Sequence, residues 1–595
     1  MLLAGCGSES ARRPDILLIV VDTLRFDRLG AYGYGRPTSP EIDSRLAARG
    51  VLVQSAYAQA PWTLPSMASM HSGRRAEEML DDKGQPSGIP EPVATLAERL
   101  QAGGYSTAAF VANPTMHRGN GFAQGFDTFE TAPYEIASMS RHADDINGKA
   151  LPWLRRMEAE RGRPPYFLYL HYLDPHDPYE NSDIVDGKSA FFPDYAGKLR
   201  GGDVHGLYLG TVELDPRPAE REQDLRQLAA LYDSEVRYVD RHIGEVLAAL
   251  PEERLESTLI VLTADHGEEL FDHGGFKHGE TLYEELIHVP LIFRWDGRLP
   301  AGARLEGTVR LLDLMPTFLS AAGIGAAGGT VAPAEPENAR PRQGVDLLPA
   351  LSGGKMPELP AFARHFAGGP LRLARIAGGR KEILFDRHGP VVPADDQERK
   401  LWQRDVGRLA RHELYDLVAD PGERRDLAAA GEGGSPRELW ADLDPWLEGL
   451  RLAVADLEGC ARVEGELELA GDDLRARPLF LAAEDVFAWD GKRLSFAFKG
   501  EKLPKGLLIQ GGLERVEKAA VRCDGKPLEV VAGGQGAVAA GPLELRALLA
   551  APEERPLAAS GGRLSLWLRR PAVVLGGGER DEETAKRLKA LGYTG

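Results

Sequence analysis

An unbroken apolar run, Ile16-Leu17-Leu18-Ile19-Val20-Val21, is the first strong signal in the chain. A strand without polar alternation is covered on both faces, as in a parallel sheet sandwiched between helices. Thr107 to Val111, Tyr166 to Leu170, Thr258 to Leu262 and Val289 to Phe293 are apolar runs of the same kind. Amphipathic stretches lie between them. Glu91 to Ala102 predicts one helix. Arg221 to Leu250 predicts a longer one, with apolar positions at Leu225, Leu228, Leu231, Val236, Val239, Ile243, Val246 and Leu247, the recurrence of one helix face. Strands alternating with helices predict an α/β fold, a mostly parallel sheet with helices on both faces.

The pattern changes after the last of these runs. Residues 324–345 are rich in Gly, Ala and Pro and read as a linker. Short strand-like pieces follow at Leu371 to Ile376 and Glu382 to Phe385, then a loop from His412 to Asp426. From about residue 460 the chain alternates, as in Glu464-Gly465-Glu466-Leu467-Glu468-Leu469 and Leu494-Ser495-Phe496-Ala497-Phe498. That period predicts an antiparallel β-rich module. The tail Glu582 to Leu591 reads as a short amphipathic helix. No internal repeat is present, and no apolar run is long enough to predict a transmembrane helix.

Composition narrows the partners. The chain has 595 residues, 43% hydrophobic and 27% charged, which suits a soluble globular protein of several domains. Its net charge of −19 argues against nucleic acid, whose phosphates demand a basic face. A small anionic substrate is still compatible, because a bound metal can dominate a local field. The three cysteines, Cys6, Cys460 and Cys523, form no metal-ligand cluster by spacing. A Cys460–Cys523 disulfide would require an oxidising compartment.

Chemistry gathers where the apolar runs end. In doubly wound sheets ligands bind outside the carboxyl ends of the strands. The first run ends at Asp22. The Thr258 run leads to Asp265-His266-Gly267-Glu268, and the Tyr166 run to His171, Asp174 and His176. One aspartate after a strand is commonly only a helix cap. Three polar strand ends in one sheet point to a site. Asp22, Asp265 and His266 offer oxygen and nitrogen ligands for a divalent cation, with one ligand to come from elsewhere. The candidate is Thr63 in Trp62-Thr63-Leu64-Pro65-Ser66-Met67-Ala68-Ser69-Met70. Pro65 suits the first helical turn. Thr63 therefore falls at or just before a helix N-terminus, where it is either a plain cap or a hydroxyl nucleophile activated by a metal.

Several segments, in order, carry a family resemblance. Val20-Val21-Asp22-Thr23-Leu24-Arg25 with Gly30-Ala31-Tyr32-Gly33-Tyr34 resembles the opening of bacterial sulfatase-like enzymes. Trp62 to Ser69 resembles their nucleophile segment. Asp174-Pro175-His176-Asp177-Pro178-Tyr179, Ala264 to Glu268, His278-Gly279-Glu280-Thr281-Leu282-Tyr283 and His288-Val289-Pro290 continue the match. Leu414-Tyr415-Asp416-Leu417 with Asp420-Pro421-Gly422-Glu423 resembles the family's C-terminal loop. The resemblance spans roughly residues 15–430 and identifies the chain as similar to sulfatases of the alkaline-phosphatase superfamily.

The resemblance implies an alkaline-phosphatase-like α/β core over 15–325 and a smaller α+β subdomain over 326–455; the alternating pattern beyond it predicts the β-rich module over 456–595. It implies that Asp22, Thr63, Asp265 and His266 hold one divalent metal, zinc or manganese ahead of calcium because of the imidazole. Thr63, His176 and His278 would be catalytic. Asn113, His171 and Lys277 would bind substrate. The chain departs from the usual pattern at four positions. Thr63 stands where sulfatases carry the Cys or Ser converted to formylglycine, and Met67 replaces the arginine of that segment. Thr23 replaces the second Asp of an Asp-Asp pair, and Asn113 a lysine. The threonine resembles the metal-alkoxide nucleophile of phosphoglycerol and phosphoethanolamine transferases and of phosphodiesterases. The expected function is therefore metal-dependent hydrolysis of sulfate or phosphate esters through Thr63. The alternatives are a transferase of that type, or a binding protein that lost the formylglycine.

The N-terminus carries a separate signal. Leu3-Ala4-Gly5-Cys6 resembles a bacterial lipoprotein processing site, and a polar tether follows. Only five residues precede Cys6, fewer than a signal peptide needs. The expectation is a truncated signal, a lipid anchor at Cys6 and a place in the bacterial cell envelope, or a cytoplasmic protein if the start codon is right. Oligomeric state is not legible.

Overall fold

The structure is a computed structural model. It describes residues 13–79, 86–131, 142–324, 342–365, 372–385, 412–432, 449–452, 461–479, 485–499, 506–527, 529–532, 537–538, 543–544 and 563–569. The lipoprotein-like segment, most of the Gly/Ala/Pro-rich stretch and the expected C-terminal helix lie outside these residues. The described residues fall into two compact units, one holding 13–365 and the other 372–385 and 412–569.

The first unit is a nine-stranded sheet flanked by helices. Its centre is parallel, as expected for runs without alternation. Asp15–Val21 pairs with Tyr166–Tyr172 on one side and Thr258–Ala264 on the other. Every residue of these three strands is buried. Ser106–Val111 adds outside Tyr166–Tyr172, and Thr128–Thr131 outside that. The Val289–Phe293 run departs from the expectation of a parallel strand. It is cut at Pro290 into His288–Val289 and Leu291–Arg294. Both run antiparallel to Val51–Tyr57, and the second also to Thr258–Ala264. Proline cannot donate to a ladder, so the run breaks where its backbone would have to. Val51–Tyr57 and Ala303–Arg310, which pair in parallel, carry too little apolar signal to be expected from the sequence.

The long helix runs from Pro218 to Ala248, starting on a proline in its first turn, where a missing N–H costs nothing. The helix expected from Glu91 begins instead at Leu96. Thr95 caps it, its Oγ1 accepting from Glu98 N at 3.1 Å while Glu98 Oε2 accepts from Thr95 N at 2.8 Å. This reciprocal pair fixes the start and leaves 91–95 outside. A further helix, Ala143–Ala159, has no counterpart among the elements expected from the sequence.

In the second unit Arg372–Ala377, Arg380–Phe385 and His412–Asp416 form antiparallel neighbours. The start of the expected loop is therefore a strand, because Leu414 finds Glu382 across the ladder. The alternating stretches lie in Arg462–Leu479 and Arg493–Lys499, paired antiparallel with Leu467 opposite Leu494. Val463, Leu467, Leu494, Phe496 and Phe498 are all buried, one face of each strand. Cys523 is disulfide-bonded; Cys460 lies outside the described residues.

Candidate functional site

Register brings the first ligands together. Val21 is level with Ala264, so the next residue of each strand, Asp22 and Asp265, emerge side by side. Asp265 Oδ1 accepts from Thr23 N at 3.1 Å and from His266 N at 2.8 Å, which orients its carboxylate. His266 Nδ1 lies 2.9 Å from Gly267 O. A carbonyl only accepts, so Nδ1 carries the proton and Nε2 presents a lone pair. Nε2 is 3.3 Å from Asp265 Oδ2 and 3.8 Å from Asp22 Oδ1. Neither of those buried oxygens has a hydrogen-bond partner. The three ligand atoms all lie within 4.8 Å of one another.

Lone pairs facing lone pairs in a buried space repel unless a cation sits among them. Burial and the Asp265 charge accordingly push Asp22 well above the usual carboxylate range. The residues fit a divalent ion, and the His266 Nδ1 hydrogen bond is the outer support such a ligand needs.

Thr63 joins them from a different element. The Thr63–Ser72 helix is buried along its whole length and follows Val51–Tyr57. Its cap position is Trp62, and Thr63 is the first helical residue. The Thr63 hydroxyl does not cap the helix. It accepts from Asn113 Nδ2 at 3.1 Å and lies 3.4 Å from His266 Nε2. Asn113 Nδ2 also donates to Asp22 Oδ2 at 2.6 Å, and Asn113 Oδ1 accepts from Thr115 N and Oγ1. Ser66 Oγ donates to Asp265 O at 2.6 Å, joining the helix to the strand end.

Three imidazoles form the other wall. The His278 ring lies 4.6 Å from that of His266 and 5.0 Å from that of His176, centroid to centroid. His176 Nδ1 donates to Asp177 O at 2.8 Å, and His278 Nδ1 donates to Glu268 Oε1 at 2.8 Å. Burial lowers both histidines, which favours neutral rings. Burial also raises Glu268 well above its ordinary range. Glu268 closes the Asp265–Glu268 segment at a strand end, but nothing in the sequence links it to a histidine ten positions on.

The remaining candidates sit differently. Lys277 Nζ is 2.7 Å from Asp177 Oδ1, with both side chains nearly inaccessible. That ion pair, with His176 and His205, holds Asp177 well below the usual carboxylate range against the opposing pull of burial. His171 lies one residue inside its strand, level with Val20 and Val111. Neither of its ring nitrogens has a hydrogen-bond partner, and burial pushes its pKa down to about 4. Met67 is buried and receives the Tyr169 hydroxyl on its sulfur at 3.7 Å.

Comparison with known proteins leads the same way. The sequence model of the Sulfatase family matches residues 14–324, just over half of the chain. N-acetylgalactosamine-6-sulfatase of Canis lupus familiaris is 26% identical over 492 residues, covering 72% of this chain and 84% of that protein. Arylsulfatase A of Homo sapiens is 27% identical over 514 residues, covering 80% and 94%. Among solved structures, the phosphonate monoester hydrolase of Agrobacterium radiobacter superposes with a TM-score of 0.52 at 19% identity, covering 72% of this chain and 95% of that one. A structure determined with its substrate, D-glucosamine-2-N,6-O-disulfate, gives 0.53 at 20% identity, covering 73% and 97%. The family match, the sheet with its strand-end site and these likenesses agree, and the chain belongs to the sulfatase family of ester hydrolases.

Proposed function

We propose that the chain hydrolyses a singly charged oxyacid ester, a sulfate monoester or a phosphorus ester of equal charge, through a covalent ester on Thr63. The observation that carries this is the Thr63 hydroxyl: it ignores its own helix and turns to Asn113 and His266. A divalent ion held by Asp22, Thr63, Asp265 and His266 would supply acidification of the hydroxyl and charge on the ester oxygen.

The chain's own residues do the rest. Asn113 holds the Thr63 oxygen in place by its side-chain amide. Thr63 Oγ attacks sulfur or phosphorus, and the bond to the leaving oxygen breaks with its electron pair. His278, neutral at rest with Nδ1 donating to Glu268, takes up at Nε2 the proton lost by Thr63 and passes it to that oxygen. Glu268 behind it steadies the imidazolium, as the carboxylate of a hydrolase triad does. Water then attacks the Thr63 ester and gives its proton to His278 Nε2; the bond to Thr63 Oγ breaks, and that oxygen takes the proton back from His278. His176, anchored through Nδ1, faces the non-bridging oxygens from Nε2.

Charge selects the ester. Asp22 and Asp265 would be balanced by a divalent ion, while Lys277 is committed to Asp177. Among the described residues no lysine or arginine hydrogen-bonds or ion-pairs with Thr63, Asn113, Asp22, Asp265 or His266. Such a site suits a monoanion better than the dianion of a phosphate monoester. A threonine ester also lacks the geminal hydroxyl through which formylglycine expels sulfate, and phosphorus accepts direct attack more readily. Phosphodiester or phosphonate monoester turnover should therefore match or exceed sulfate turnover. The names of similar proteins include both chemistries. The disulfide at Cys523 suits the cell envelope as location.

The test is a panel of aryl sulfate, phosphate monoester, phosphodiester and phosphonate monoester, with Thr63→Ala and Thr63→Ser beside the wild type. Thr63→Ala should lose at least ~10³-fold in turnover, and Thr63→Ser should keep a measurable part. Thr63→Ala as active as wild type refutes the nucleophile. Sulfate far above every phosphorus ester refutes the substrate order and leaves the family unaffected.

A further inference from the structure

A second group of ligands lies outside the site just described. His142 directly precedes the Ala143–Ala159 helix, Asp174 follows the Tyr166–Tyr172 strand, and Glu235 projects from the Pro218–Ala248 helix. Their nitrogen and oxygen atoms come within 4.8 Å of one another. Asp174 is 3% exposed and Glu235 is fully buried. His142 is partly open, its side chain 24% exposed, and gives a way in from solvent. We propose that His142, Asp174 and Glu235 bind a second divalent cation of the zinc or manganese class.

The hydrogen bonds favour a cation over a self-contained network. Each carboxylate has one oxygen anchored. Asp174 Oδ1 accepts from His142 Nδ1 at 2.9 Å, and Glu235 Oε1 accepts from Asn181 N at 3.2 Å. The other oxygens, Asp174 Oδ2 and Glu235 Oε2, are buried and accept from no donor group, and the two carboxylates lie within hydrogen-bond reach of each other, a contact that a shared proton or a bridging cation would hold. Two buried acids share one space, and among the described residues no lysine or arginine pairs with either. One imidazole beneath the Tyr238 ring (centroids 5.7 Å apart) is the sole counter-charge at hand. A carboxylate with one oxygen oriented and the other bare is the arrangement of a metal ligand. Two carboxylates with one imidazole select zinc or manganese over calcium, which prefers oxygen throughout.

Position gives the site a purpose. Asp174 is two residues before His176, whose ring stands 5.0 Å from that of His278. A cation there ties the loop bearing His176 to the long helix. His142, Asp174 and Glu235 are thus positioning residues and do not touch substrate.

The proposal does not depend on the metal assignment of the first site, and the experiment separates the two. The full chain is stripped with chelator, dialysed against zinc or manganese, freed of excess, and its bound metal measured by elemental analysis. Two ions per chain are expected. Glu235→Gln and Asp174→Asn should each remove one, Asp265→Asn should remove the other, and Asp265→Asn with Glu235→Gln should leave none. Thermal unfolding gives a second reading. In Asp265→Asn added metal should raise the midpoint by mass action, and Glu235→Gln in that background should abolish the rise. Glu235→Gln is isosteric and removes a buried like charge, so its metal-free midpoint should equal or exceed that of the parent. One ion per chain that is unchanged in Glu235→Gln, or two that persist in it, overturns the proposal. Loss with Glu235→Gln but not with Asp265→Asn upholds it and overturns the first site instead.

Discussion

Lys277→Met tests whether Lys277 serves the substrate or the loop behind His176. The ammonium lies 2.7 Å from Asp177 Oδ1, with side-chain exposures of 3% and 1%, and 4.6 Å from the centre of the Tyr208 ring. Breaking a buried pair from one side costs about 3–5 kcal/mol, because the surviving charge is stranded. Here His205 Nδ1 at 3.1 Å and His176 Nδ1 at 3.2 Å still reach Asp177, which draws the figure to the lower end. The lost cation–π contact adds back roughly 0.5–1 kcal/mol. The expected penalty is therefore about 3.5–4 kcal/mol at pH 7. Methionine keeps the stem length and meets the same positive φ, +69°, at this position, so the backbone term cancels. The pH dependence has a fixed sign. Asp177 is depressed in the folded protein, so its pairing contributes fully above the unfolded carboxyl value near about 4 and is lost as pH falls through the lower folded value. The Lys277→Met penalty should be greatest near neutral pH and shrink as pH falls, from the point at which the stranded Asp177 of the variant takes up a proton. Urea midpoints from neutral to acid pH measure it. Lys277→Met combined with Asp177→Asn should cost less than Lys277→Met alone. A penalty below about 1 kcal/mol, accompanied by a raised KM, would refute this account and return Lys277 to substrate binding.

Two further substitutions probe the first site. Asn113→Ala removes the donor shared by Asp22 Oδ2 and Thr63 Oγ1; we expect a loss of about 2 kcal/mol in stability and roughly 10²-fold in kcat, read from denaturation and steady-state kinetics. Gly267→Ala places a Cβ 2.0 Å from the Glu285 carbonyl oxygen. Because a backbone must move, it should cost about 1–3 kcal/mol and lower metal content at the His266 site, measured by elemental analysis.

Much of this molecule can be read along the chain. A strand buried on both faces has no alternation to disguise it, so Asp15–Val21, Tyr166–Tyr172 and Thr258–Ala264 are visible as apolar runs. Their ends point to Asp22, Asp265 and His266, because in a parallel sheet all carboxyl ends open on one side. The strand expected at Val289–Phe293 divides instead at a proline, a local cue outweighed by hydrophobicity. Val51–Tyr57 and Ala303–Arg310 lack a periodic signal, since pairing supplies what composition does not.

Side-chain partnership belongs to the tertiary structure. Sequence alone leaves Thr63 as either a cap or a nucleophile; that its hydroxyl leaves the cap and lies against Asn113 and His266 is seen only in the fold, where other strands bring those residues to it. Glu268 acquires its place from His278, which a turn brings back against it. Lys277 gains Asp177 as partner from another strand end. His142, Asp174 and Glu235 come from three elements far apart in the chain and converge only when helix and sheet close. Short-range pattern encodes which residues are buried and in what element, because burial is settled by period and propensity. Which buried charge faces which depends on register and helix placement, and those are fixed by the summed fit of the whole core.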